Sequence, residues 1–98
     1  MSRTVEITAQ SRFRPSAAVA SRIIDGTAVL VSLDERRMHE LNPVGSHIWQ
    51  ELTQGSTVRE LVAKVRQEFD VGDEQARRDV EAFLRRLWDL GLLDREDA

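Results

Sequence analysis

The stretch Met38–Leu52, MHELNPVGSHIWQEL, decides the fold. Its first residues alternate polar and apolar side chains, as a short strand does, and its later apolar residues recur at helical spacing. Between the two halves, Asn42 is a favoured helix N-cap. Pro43 is a favoured first helical residue, because the N–H that proline lacks would be unpaired there. A strand over Arg37–Leu41 therefore runs directly into a helix from Pro43 to Gln54, which buries Val44, Ile48, Trp49 and Leu52.

Upstream, Ala18–Ile24 and Thr27–Leu33 are rich in Val, Ile and Leu, with Asp25 and Gly26 between them. A two-residue Asp-Gly connection is a strong hairpin signal, since both positions accept positive φ. Residues 1–16 are polar, carry Arg3, Arg12 and Arg14, and show little periodicity, which predicts a flexible arm or a loosely docked strand ahead of a domain at 17–94. Downstream, Thr57 and Glu60 make a capping box for a second helix that buries Val58, Leu61, Val62, Val65 and Phe69. Asp73 is the expected cap of a third helix with the stripe Ala76, Val80, Phe83, Leu84, Leu87 and Leu90, ended by Gly91. Strands then helices, segregated along the chain, predict an α+β domain: a three-stranded antiparallel sheet followed by three helices, similar to a winged helix-turn-helix.

With 98 residues the chain makes one domain with a small core. Hydrophobic residues at 41% and charged residues at 32% place it among ordinary globular domains. Cys is absent, which excludes a disulfide scaffold, a thiolate metal site and cysteine catalysis. No apolar run has signal-peptide or membrane-spanning length, so the expected location is cytoplasmic. The net charge of −3 argues against a protein that coats nucleic acid.

The side-chain inventory argues against an enzyme. His39 and His47, the only histidines, lie on different elements without metal-ligand spacing, and no Gly-rich phosphate loop occurs, so neither metal nor cofactor is expected. The one basic concentration is Arg77, Arg78, Arg85 and Arg86 on the third helix, interleaved with Asp79, Glu81 and Asp89. A solvated face with a Glu81–Arg85 pair is the simpler reading; a surface for an acidic peptide is the functional one. Trp88 lies about 100° from the centre of the apolar stripe, where it either shields the core edge or walls a groove.

Asp25, Gly26, Val29 and Leu30, then Leu41, Asn42, Gly45, Ile48 and Trp49, then Thr57, Val58, Glu60 and Leu61, then Asp79, Val80, Phe83, Leu84, Leu87, Gly91 and Leu92, occur in an order that resembles the PqqD-like proteins. That family is named for the pyrroloquinoline quinone biosynthesis protein D, and its domain is also called the recognition element for precursors of ribosomally made, post-translationally modified peptides. The resemblance covers roughly Ser11 to Leu93. It implies a non-catalytic peptide chaperone that binds the leader of a precursor peptide and presents the core to a modifying enzyme, such as a radical S-adenosylmethionine protein or a leader peptidase.

An open edge on the third strand can accept an extended peptide as an added strand. The expected peptide-binding residues are Arg37, Met38, His39, Glu40 and Leu41 on that strand with Arg77, Val80, Leu84 and Trp88 on the third helix; for Val80 and Leu84, plain core packing is the competing reading. A winged-helix DNA-binding regulator and a docking subunit of an enzyme complex are the alternative functions. An open edge also allows two copies to pair as a homodimer.

Overall fold

The computed structural model describes residues 4–96. Its elements are β1 (Phe13–Pro15), β2 (Val19–Ile24), β3 (Thr27–Ser32), β4 (Arg37–Glu40), α1 (Pro43–Leu52), α2 (Val58–Phe69), α3 (Asp73–Asp89) and β5 (Leu93–Arg95). The fold is α+β, with an antiparallel sheet β2-β3-β4 preceding the three helices. Asp25 and Gly26 adopt φ of 51° and 81° and close the hairpin between β2 and β3 as predicted. No helix among the described residues is long and apolar enough to cross a membrane.

The middle strand alternates strictly: Ala28, Leu30 and Ser32 point into the protein, and Thr27, Val29 and Val31 point out. Its inner residues join Ile48, Trp49 and Leu52 of α1, Leu61 and Val65 of α2, and Ala76, Val80, Leu84 and Leu87 of α3 in one core. Glycine at position 45 permits the closest approach within this packing. A Cβ there would stand 2.9 Å from Cε1 of Phe83, so α1 and the aromatic ring of α3 meet where only a hydrogen fits.

The helix ends show one agreement and one correction. The Glu60 N–H donates to Oγ1 of Thr57 at 3.2 Å, and the Thr57 N–H donates to Oε1 of Glu60 at 2.8 Å, completing the predicted capping box. The Thr57 N–H, with the Thr57 hydroxyl second, holds the exposed Glu60 carboxyl below its ordinary pKa. Asp73, expected to cap α3, instead lies in its first turn. The cap is Gly72, without a side-chain bond, and Asp73 pairs with Arg66 at 3.6 Å.

The N-terminal expectation also changes from residue 5 onward. Phe13 is 1% exposed, and β1 pairs with β5 through the register Phe13↔Arg95, Arg14↔Asp94 and Pro15↔Leu93. Ser11 is fully buried, and its carbonyl accepts from Val58 N–H at 2.9 Å. Val5 belongs to the core, and Arg85 donates to its carbonyl at 3.1 Å, taking the place of the expected Glu81–Arg85 pair, which is not formed. A buried phenylalanine and main-chain bonds to two distant elements make this segment a built-in second ribbon. The reading of Arg3 in the arm falls outside the described residues.

Candidate functional site

Strand β4 has a neighbour on one side only. The Leu41 N–H donates to the Ala28 carbonyl at 2.9 Å, and β4 pairs Leu30↔His39 and Ser32↔Arg37. Because bonded pairs alternate along an antiparallel ladder, residues 37, 39 and 41 direct their main-chain groups at β3, whereas Met38 and Glu40 direct theirs at the open edge. Cross-strand partners share a face, so the His39 side chain points inward beside Leu30, and Met38, 73% exposed, stands on the outer face beside Val31.

The turn from β4 into α1 is fixed by two side chains. Oδ1 of Asn42 accepts from Gly45 N–H at 2.7 Å, the N-cap bond predicted from the sequence. Ser46, 1% exposed, accepts from Ala28 N–H at 2.9 Å and donates to the Leu41 carbonyl at 3.2 Å. One buried hydroxyl thus satisfies a main-chain group on each of two strands and fixes where the edge ends and the helix begins. Ser46 was not read from the sequence, where a serine after glycine carries no distinguishing signal.

Beside the open edge lies a cleft of about 370 Å³. Met38, His39, Glu40 and Leu41 line it from β4, Asn42 and Gly45 from the turn, and Phe83, Arg86, Leu87 and Leu90 from α3. A second hollow of about 290 Å³ shares Asn42, Gly45, Phe83 and Arg86, and continues between α1 and α3 past Val44, Ile48, Asp79 and Ala82. Together they form one groove that starts along the β4 edge and runs over Gly45 into a notch between two helices.

Four of the five expected strand residues line this groove; Arg37, exposed at the start of β4, does not. None of the four expected helix residues does. Val80 and Leu84 are 0% exposed in the core. Arg77 projects into solvent 3.7 Å from Glu74. Trp88 lies on the far flank of α3, its ring meeting Phe13 edge-on with centroids 6.1 Å apart. At about 100° per residue, Arg77 and Trp88 occupy one flank of α3, and Arg86 and Leu90 the other, so the groove uses the flank opposite to the expected one. Helical phase combined with Gly45, the position on α1 that leaves room for Phe83, is the sequence signal for the flank that lines the groove.

Among the described residues no three His, Cys, Asp or Glu side chains converge on a common point. His47 is half-buried on α1 with its ring edge-on to Phe69 at 5.6 Å, away from His39 in the groove. What the groove offers is main-chain donors and acceptors along one wall, apolar side chains along the other, and a single guanidinium between them.

Fold and groove together define a small α+β domain with an unpaired sheet edge set against an apolar helix flank. The sequence model of Coenzyme PQQ synthesis protein D (PqqD) matches residues 27–93, from the hairpin to β5. The chain belongs to the PqqD family. Among solved structures it is similar to TbiB1 in complex with the TbiA(beta) leader peptide, at 36% identity and a TM-score of 0.79, over 83% of this chain and 94% of that one. It shares its fold with lasso peptide synthetase B1 complexed with the leader peptide, at 23% identity and a TM-score of 0.78, over 85% of this chain and 98% of that one. No protein of curated function matches it.

Proposed function

We propose that this chain is a non-catalytic peptide-binding domain that takes up the leader of a ribosomally synthesised precursor as an added strand on β4 and presents it to a modifying enzyme. The observation that carries this reading is the open β4 edge facing the Phe83–Leu90 flank of α3. Extended peptides bind such edges through main-chain bonds and gain specificity from side-chain pockets alongside. The similarity to TbiB1, solved in complex with the TbiA(beta) leader peptide, supports the same use of the fold here.

The sheet has a second open edge on β2, but the hollow beside it, lined by Ile23, Trp49, Gln50, Thr53 and Gln54, is smaller, about 260 Å³, and is not faced by α3. Leader recognition therefore belongs to β4. The partner is a modifying enzyme such as a radical S-adenosylmethionine protein or a leader peptidase, and the setting is the cytoplasm.

Calorimetric titration of the chain with the precursor encoded beside its gene, and with leader and core fragments separately, tests the proposal. The expected result is micromolar or tighter binding of the leader alone. A domain that binds duplex DNA with steep salt dependence and ignores every peptide fragment would overturn it.

A further inference from the structure

Arg86 stands where the two halves of the groove meet, lining both the cleft at β4 and the notch between α1 and α3. Its guanidinium has no acidic partner: no carboxylate among the described residues lies within 4.0 Å of it. Asp89, three residues on and a natural helical partner, does not pair with it. Asp79, two turns earlier on the same flank, is already held by Nε2 of Gln75 at 2.8 Å. Beside it on α3, Phe83 and Leu90 are apolar, and Glu40, which lines the cleft from β4, does not pair with it.

An extended chain lying along the groove covers this guanidinium and strips its water. A cation desolvated without a partner is costly, whereas a carboxylate meets it with two parallel charge-assisted bonds. We infer that Arg86 makes the groove selective for a peptide segment carrying an acidic side chain between two apolar ones, the first seated against α3 at the β4 edge and the second in the notch over Gly45. This rests on the peptide-binding reading above and adds the chemistry of the bound sequence. Neutral polar residues at the middle position satisfy the guanidinium less well, and a basic residue is rejected by like-charge contact.

The test is a selection of phage-displayed random dodecapeptides on the wild-type chain and on Arg86→Glu, whose exposed position spares the fold. The wild-type pool is expected to be enriched in Asp or Glu flanked by apolar residues, and the Arg86→Glu pool to exchange that acid for Lys or Arg. For one selected peptide, changing the acid to its amide is expected to weaken binding about tenfold to the wild type and not at all to Arg86→Gln. Wild-type peptides without acidic enrichment, or an equal loss on Arg86→Gln, would overturn the role of Arg86 while leaving the groove a peptide site. Selected peptides whose binding is untouched by Glu40→Pro, which removes an edge N–H, would overturn the groove reading itself and this inference with it.

Discussion

The two flanks of α3 are alike in kind, each carrying arginine and large apolar side chains beside the buried stripe, yet they end in opposite states. On one flank the chain covers itself: Phe13 meets the edge of Trp88, and Arg85 reaches the Val5 carbonyl. On the other flank Phe83, Arg86 and Leu90 face the open edge of β4 across the groove. The difference is not a property of the helix. It is set by residues about eighty positions away, because the ribbon of β1 and β5 closes one side and nothing in the described chain closes the other. An amphipathic helix announces which stripe it buries; the partners that arrive from elsewhere decide which flank stays available.

The largest expected effect separates stripe from flank. Leu84→Glu places an unpaired carboxylate at a fully buried position, and should cost about 4 kcal/mol or more, enough to abolish the cooperative thermal transition in circular dichroism. Leu90→Glu, on the rim of the groove, should fold with a normal melt and lose leader affinity. Equal loss of structure in both would erase the distinction between the two positions.

On the covered flank, Phe13→Ala should destabilise by about 3 to 5 kcal/mol, since the ring is buried and the strand it anchors is only three residues long. Below the lowered melting temperature, leader affinity should stay within about twofold of wild type, because no residue of the ribbon lines the groove. A parallel collapse of affinity would show that the two flanks are coupled.

Gly45→Ala probes the open flank from beneath. The added methyl meets the Phe83 ring and should cost about 1 to 3 kcal/mol, with weaker leader binding as the ring is pushed into the groove. Phe83→Ala in the same chain should relieve the clash and restore part of the stability. Failure of that rescue would place the strain elsewhere.

The smallest effect lies far from both flanks. Thr57→Ala removes the hydroxyl half of the capping box, leaving the main-chain N–H of residue 57 to Glu60, and should cost about 1 kcal/mol at neutral pH. Because the folded-state pKa of Glu60 is lowered, its contribution is present above the unfolded value and is lost as pH falls through the folded one. The gap between wild type and Thr57→Ala in urea melts should therefore narrow in acid, while leader binding at neutral pH is unchanged.

Most of the architecture was legible because its signals are local. Asp25-Gly26 specifies a hairpin, Asn42-Pro43 a helix start, and Thr57 with Glu60 a capping box, each within four residues, and each is present. The ribbon was not legible. Strands of three residues carry too short an alternation to stand out, and the pairing of Phe13 with Arg95 closes a loop that no turn residue announces. Of the expected strand residues, Met38 to Leu41 line the groove, since a short alternating strand is a local signal like the hairpin. The expected helix residues do not line the groove, because the conspicuous Trp88 is covered by Phe13, from a segment that reads as a polar arm or a loosely docked strand. Register changes the choice of probes as well: a proline at His39 would break a bond to β3, whereas Met38 and Glu40 carry the free edge.

The most direct test of where the leader sits is amide hydrogen exchange followed by NMR, with and without the leader peptide. The account predicts that the Met38 and Glu40 amides, unprotected in the free protein, become protected on binding, while the Trp88 indole resonance and the β1–β5 amides stay unchanged. Protection at Trp88 and the ribbon, with the β4 edge exchanging as before, would contradict it.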